Sequence, residues 1–549
     1  MKTPDTKLQV MWNRLMAVVE EQGQALIRAA FSPIVRECGD ISAGIFDVRG
    51  RMLAQAVTGT PGHINTMAEA VKTLLGRFEI HDMKPGDIYM SNDPWIASGH
   101  LNDFLLMMPV FFRGQVVGFT SCTSHLVDLG GLGMGPEGAD IYDEGLLIPP
   151  CKLVDGGTLN ALLLEIVKAN SREPIANEGD IYALIACCEA GAIRLAGMMD
   201  EFSIDHLDEV ADYIIDTSYR GTVEAIATLE KGTWTYVLTV DGYEREIELH
   251  AALTIAEDRV TLDFDGTSGL SNKGINVPLN YATAYSVFAL RCIIGPDIPN
   301  NAGSLAPFHV TGPVDCILNA QRPAAVAMRH TLGQMTPDLV YGCLSQALPD
   351  QVPAEGASCM YDLPLRHVPE AVSRRDTQFA LELVFSGGTG ARPSLDGLSA
   401  TAFPSGVWGS QVETTEAVAP ILISRRELKP DSGGVGRMRG GLGQYIELRS
   451  SIGEDFMLFL SVERILNPAS GRYGGGFGAP GRIRIGHDGP DLPGKGEVRV
   501  KAGETLVFET PGGGGYGDPG ERLQEHIQRD LEEGLISPDA ARKTYGVKS

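Results

Sequence analysis

Between Asn92 and Gly131 the chain carries two copies of a short pattern, His-x-x-Asp: His100-Leu101-Asn102-Asp103 and His125-Leu126-Val127-Asp128. Imidazole nitrogen and carboxylate oxygen are ordinary ligands of zinc or manganese. Such an ion lowers the pKa of bound water from 15.7 towards about 7 and so makes a hydrolytic nucleophile at neutral pH. A lone histidine is more often a hydrogen-bonded structural residue. The doubled pattern, with Ser98-Gly99 before the first copy and Gly130-Gly131 after the second, makes one shared ion as good a reading as two structural histidines. Asp40, in Cys38-Gly39-Asp40, is a further candidate ligand. Glu144, beside Asp143 on a turn-rich loop, is a candidate general base; its bland alternative is a solvated acidic loop. His63, in the glycine-marked segment Pro61-Gly62-His63, is placed to face the same site or to serve as a structural histidine. Cys38 reads as a buried, inert thiol.

Local pattern says how these residues are carried. Val10 to Ala30 has apolar residues at helical spacing and predicts a long amphipathic helix ending before Pro33. Asp40 to Phe46, a turn at Asp47–Arg51 and Met52 to Gln55 predict a hairpin. Phe104 to Phe112 and Val116 to Phe119 are strand-like and would join the two His-x-x-Asp elements as a second hairpin. Helices are expected at Thr66–Phe78, Asp180–Met199, His206–Leu229, Ala282–Ile294 and Met335–Ala347. Thr233 to Phe264 alternates polar and apolar residues, with Asp241-Gly242 as a hairpin turn. From Leu381 to Thr510 the chain reads as strands and glycine turns, and Pro519 to Gly546 as helix.

The expectation is a mixed α+β, multidomain protein. Its N-terminal region, 1–232, is an α+β metal-site domain, followed by a central α/β domain over 233–380. A β-rich, glycine-loop domain over 381–510 and a glycine loop with helical tail over 511–549 complete it. The 549 residues are 43% hydrophobic and 21% charged, so large cores are available. The formal net charge of -25 repels phosphate backbones and anionic membrane surfaces, which argues against a nucleic-acid or membrane partner. Nine scattered cysteines, two of them adjacent, argue against a disulfide framework and for a reducing cytoplasm. Neither a secretory leader nor a membrane-spanning apolar run is expected. The clusters Ser432-Gly433-Gly434-Val435-Gly436 and Pro511-Gly512-Gly513-Gly514-Gly515 lack the context of a phosphate-binding loop; they read as turns that pack a β-rich region or meet another chain.

Taken in order, these segments resemble the hydantoinase B/oxoprolinase family. The resemblance is carried by Asp40-Ile41-Ser42-Ala43-Gly44-Ile45-Phe46-Asp47, Pro61-Gly62-His63-Ile64, Ser91-Asn92-Asp93-Pro94, Gly99-His100-Leu101-Asn102-Asp103 and Ser124-His125-Leu126-Val127-Asp128. Asp143-Glu144-Gly145-Leu146, Asp263-Phe264-Asp265-Gly266, Pro299-Asn300-Asn301-Ala302-Gly303 and the Pro511–Pro519 tail extend it almost end to end. The resemblance implies metal ligands at Asp40, His100, Asp103 and His125, with Asp128 orienting a ligand. It implies a separate, actin-like A-type subunit that binds ATP and activates the substrate, and hence a hetero-oligomer. It implies hydrolysis of a small cyclic amide (a hydantoin, oxoproline or lactam); in ketone carboxylase relatives the finishing step is carboxylation. A non-catalytic scaffold for the A-type subunit is the reading from outside enzymology.

Overall fold

The structure, a computed structural model, describes residues 6–57, 59–368 and 379–547. Its first sheet has seven strands: β1 (Ile41–Phe46), β2 (Met52–Gln55), β3 (Ile88–Ser91), β4 (Asp103–Phe112), β5 (Gln115–His125), β6 (Cys151–Asp155) and β7 (Thr158–Leu159). Their order is β2-β1-β5-β4-β3-β6-β7, and every pairing is antiparallel. The turn between β4 and β5 is two residues long, Arg113-Gly114, and both take positive φ, 49° and 84°. A turn of this kind has the twist that a tight hairpin needs.

Strands β1, β4 and β5 are almost wholly buried because both faces of the sheet are covered. The helices Thr6–Ala29 and Pro174–Phe202 pack together on one side, where Leu15, Val18, Val19, Leu184 and Leu195 join the main core. The Pro61–Leu75 helix lies against the sheet with Met67, Val71 and Leu74 in a separate cluster with Phe46, Leu105 and Phe119. Pro174–Phe202 is long and apolar enough to cross a membrane by length and composition. Its packing against Thr6–Ala29, β4 and β5 accounts for that composition.

A second sheet comprises β8 (Gly232–Val240), β9 (Ile247–Ile255), β10 (Val260–Asp263) and β11 (Phe308–Thr311), in order β11-β10-β9-β8. The helices Leu279–Ile293 and Thr336–Ala347 cover it. The remaining strands are β12 (Tyr361–His367), β13 (Ala380–Phe385), β14 (Ile421–Leu428), β15 (Gln444–Ser450), β16 (Phe456–Ser461), β17 (Arg482–Ile485), β18 (Lys495–Val500) and β19 (Leu506–Glu509). They form two four-stranded sheets, β13-β12-β16-β18 and β14-β15-β19-β17, which share one apolar core. The fold is therefore mixed α+β and multidomain, with several antiparallel sheets, as composition and periodicity suggested.

The glycine clusters pack on one another within the chain. A Cβ on Gly388 would stand 1.9 Å from the carbonyl oxygen of Gly441, and one on Gly440 would stand 1.9 Å from that of Gly513. Only glycine lets backbones approach this closely.

Candidate metal centre

The register of the first sheet assembles the cluster. In the antiparallel pair β4–β5, Asp103 and His125 are directly opposite one another. On the other side of β5, Ile41 pairs with Ser124, and the His125 backbone N–H donates to the Asp40 carbonyl. The start of β1, the end of β5 and the start of β4 thus lie side by side at one end of the sheet. His100 reaches the same end through the turn before β4, where Gly99 takes a φ of +87°. His63 arrives from the first turn of the Pro61–Leu75 helix. Pro61 starts that helix, and the Thr60 hydroxyl, instead of capping it, donates to Asp40 Oδ1 at 3.1 Å.

Five of the residues singled out by sequence share this place, and all five are buried. His100 Nε2 lies 2.8 Å from Asp103 Oδ1, His63 Nε2 3.0 Å from Asp103 Oδ2, and His125 Nδ1 3.3 Å from Asp103 Oδ1. Asp40 is 3.5 Å from His63 and 4.0 Å from His125. Two overlapping groups, His100/Asp103/His125 and Asp40/His63/Asp103, each keep their ligand atoms within 4.8 Å of one another.

The tautomers suit a cation. His100 Nδ1 lies 3.1 Å from the Ala327 carbonyl, which can only accept, so this nitrogen carries the proton and Nε2 offers a lone pair. That Nε2 is buried and has no partner of proper hydrogen-bond geometry, although Asp103 is close. Close but misaligned donor atoms are what a set of ligands around an ion produces. His125 is held on its far side, Nε2 lying 3.0 Å from Glu382 Oε2, and turns Nδ1 to the cluster. Imidazoles and carboxylates suit zinc or manganese, and these residues fit such an ion.

Electrostatics couple the members of the cluster to one another. Burial pushes the Asp103 carboxyl up, but His100, His63 and Arg329 together hold it well below the usual range. Burial pulls His100 down to about 4, assisted by Arg329, so its ring is neutral. Burial also opposes protonation of His125, but Glu382 and Asp103 outweigh it and hold the ring well above its ordinary value. His63 is raised too, Asp103 and Asp40 outweighing its burial.

Asp128 and Glu144 lie outside the cluster. After His125 the chain leaves the sheet, and Asp128 binds the Arg172 side chain and backbone N–H. Glu144 is buried, and its Oε1 accepts the backbone N–H groups of Val326 and Ala327 at 2.6 and 2.7 Å. It therefore braces the segment whose Ala327 carbonyl holds His100. Burial raises its pKa to about 8, against the pull of those two N–H groups. Asp143 is exposed, and Cys38 is buried with its Sγ 3.7 Å from Ser410 Oγ.

Several neighbours escaped the sequence reading. Arg329 donates to Asp103 Oδ2 at 2.7 Å and to the Ser98 carbonyl, with its guanidinium over the Tyr281 ring at 4.2 Å. Glu382 comes from β13 and Asp362 from β12, far along the chain. The available signal was a single acidic residue within each apolar run, Tyr361-Asp362-Leu363 and Leu381-Glu382-Leu383. In a strand buried on both faces, such a charge requires a partner.

A family model described as hydantoinase B/oxoprolinase matches residues 5–519. The chain belongs to this family. Among family relatives, the B component of a putative D-/L-hydantoinase from Pseudomonas sp. (strain NS671) is 27% identical, over 98% of this chain and 94% of its own. The structure of an ATP-dependent caprolactamase from Pseudomonas jessenii superposes with a TM-score of 0.88 at 26% identity, covering 100% of this chain and 97% of that one. A nucleotide-free acetone carboxylase structure also gives a TM-score of 0.88, covering 100% of this chain and 80% of that one. At 20% identity that likeness shows the fold alone.

Proposed function

We propose that this chain is the metal-dependent, B-type catalytic subunit of an ATP-dependent cyclic-amide hydrolase, a C–N ring-opening enzyme. An A-type, actin-like partner activates the ring amide with ATP, and the two form a hetero-oligomer. The observation that carries the reading is the buried cluster of Asp40, His100, Asp103 and His125, in a chain similar throughout to a hydantoinase B component and to a caprolactamase. The nine cysteines are free, and we place the protein in the cytoplasm.

These four residues would hold the ion, which supplies Lewis-acid polarisation and a water of lowered pKa. The chain's own groups prepare the site. The Ala327 carbonyl and Glu382 fix which nitrogen of His100 and of His125 faces inward. Arg329 balances the charge of Asp103 and holds that carboxylate in place. His63, in contact with both Asp40 and Asp103, is the cluster imidazole left to exchange a proton with the reacting group. Glu144 acts indirectly, through the 326–327 backbone. Asp128, paired with Arg172, secures the exit of the chain from β5.

Co-expression with an A-type subunit, followed by metal analysis and a screen of hydantoins, oxoproline and lactams with ATP, tests the reading. The expected result is stoichiometric zinc or manganese and ATP-coupled ring opening, both lost in His100→Ala and Asp103→Ala. Full turnover by metal-free protein sinks it. Carboxylated product from labelled bicarbonate and a ketone would move the chain to the carboxylases.

A further inference from the structure

Arg291, in the last turn of the Leu279–Ile293 helix, is 8% exposed, and no carboxylate among the described residues pairs with it. Its Nη1 and Nη2 donate to the carbonyls of Ile294 and Ile298 at 2.7 and 2.6 Å, and its Nε has no partner. Those two bonds fasten the turn that follows the helix. A guanidinium has five N–H donors in all, so three are left. Burial lowers its pKa, with only the neighbouring Cys292 thiol opposing, yet a guanidinium stays charged. A charge taken out of water calls for a counter-charge. In a chain of net charge -25 the lack of one is conspicuous.

Arg291 lines a cavity of about 510 Å³ together with Gln55, Ile64, Asn65, Phe288 and Asn300. Among the described residues no aspartate, glutamate or lysine lines it. Asp297, the acidic residue nearest in sequence, is exposed and stands outside the lining. The carboxamides are ordered by one another. Asn300 Nδ2 donates to Gln55 Oε1 at 2.6 Å and to Asn65 Oδ1 at 3.0 Å, while Asn65 Nδ2 donates to the Ala284 carbonyl at 3.0 Å. This engages the Gln55 oxygen and leaves that residue's N–H donors unused. Ile64 and Phe288 add apolar surface. Ile64 directly follows His63 in the Pro61–Leu75 helix, so the cavity lies behind the first turn that carries His63 to the cluster.

We propose that this cavity binds the carboxylate of a small organic acid, with Arg291 and Gln55 holding the anion and Ile64 and Phe288 its apolar body. One positive charge, presented on a planar guanidinium beside a planar carboxamide, matches a planar monoanion better than a tetrahedral phosphate dianion. The carboxylate has two sources of the same chemistry: an acidic substituent on the substrate ring, or the group that amide ring opening creates. Only that choice of source rests on the cyclic-amide reading; the anion site stands without it.

The test is calorimetric binding of two matched pairs to the full, metal-loaded chain. 5-Oxoproline differs from 2-pyrrolidinone by a carboxylate on the same ring, and N-carbamoylglycine differs from hydantoin by the carboxylate that ring opening creates. At least one acid is expected to bind tenfold more tightly than its neutral partner. Preference for 5-oxoproline assigns the site to a ring substituent, and preference for N-carbamoylglycine assigns it to the opened product. Arg291→Met and Gln55→Leu should each weaken acid binding at least tenfold and leave the neutral partner unchanged. Arg291→Met also removes two bonds to the 294–298 turn; Gln55→Leu and the wild-type ligand comparison do not depend on that turn. Acids that bind no better than their neutral partners overturn the proposal, as does inorganic phosphate binding more tightly than either acid. Acid affinity lost in His100→Ala but kept in Arg291→Met places the acid on the ion and overturns it too. A chain that binds acids through Arg291 but never opens a ring keeps this site and sinks the hydrolase reading. ATP-coupled ring opening without acid binding at Arg291 does the reverse.

Discussion

Glu382 shows how a distant side chain determines what a recognisable one can do. His125 sits in a visible pattern, yet which nitrogen it presents depends on the carboxylate 3.0 Å behind it. Loss of such an outer partner typically costs 10–100-fold in metal affinity. Glu382→Gln is accordingly expected to weaken zinc binding by about that factor without loss of far-ultraviolet circular dichroism, as measured by competition with a chelating dye; unchanged affinity would free His125 of this dependence. Glu144 yields a prediction in pH. Its folded pKa is raised to about 8 against 4.5 for the ordinary group, so the native state binds the extra proton between those values. Stability from this group is full below about pH 4.5 and is lost as pH rises towards 8. Glu144→Gln should remove that slope, and in urea melts at pH 5 and pH 8 the variant should gain on wild type at the higher pH. Asp40, His63, His100, Asp103 and His125 were legible because their types and flanking glycines stand together in short segments. Arg329, His330, Asp362 and Glu382 were not, since nothing local says what they face.

The elements nearest the centre were the most readable. The periodic run Val10–Ala30 is the Thr6–Ala29 helix, and the strand–turn–strand at residues 40–55 is β1 and β2. The expected helix at Thr66–Phe78 starts earlier, at Pro61, because proline suits a first helical turn. That shift places His63 on a helix rather than in a loop. β6, β7 and the Ala161–Asn170 helix were missed because short elements carry little periodicity. β12 is interrupted by Pro364 and buried nearly throughout, which hides its alternation. The glycine layers carry a stability prediction of their own. A Cβ at Gly513 would meet the Thr389 carbonyl oxygen at 1.9 Å, a backbone atom that has no rotamer to move to. Gly513→Ala should therefore destabilise by about 1–3 kcal/mol or more in urea unfolding, and a neutral result would mean that these layers are loosely packed.

Across the whole molecule, the later half of the chain is part of the site as well as its support. Asp40 to His125 supply one wall, the 326–330 segment a second and β12–β13 a third, so relative placement of the sheets governs the chemistry. One device that holds them is Arg464, which is 2% exposed and joins Asp338, beneath the second sheet, to Glu355 and the strand-rich region. Burial opposes its charge, and the two carboxylates outweigh that opposition. Removing one member of such a buried set strands the others, at about 3–5 kcal/mol. Arg464→Ala is expected to cost that much in urea unfolding and to lower metal affinity as well, by letting β12–β13 drift from the cluster. A loss of stability with metal affinity intact would separate the two roles.

The amino-acid sequence alone determined the fold class, the family and the two short segments that carry the histidines, because periodicity and ordered motifs are local properties written in adjacent residues. Tertiary structure decided that Asp128 turns away to Arg172 while His63 and Asp40 turn in, that Glu144 braces backbone, and that Arg329 and Glu382 reach the cluster from far along the chain. Those outcomes follow from strand register and from burial, which bring together side chains hundreds of residues apart and leave each charge to find the partner that desolvation demands.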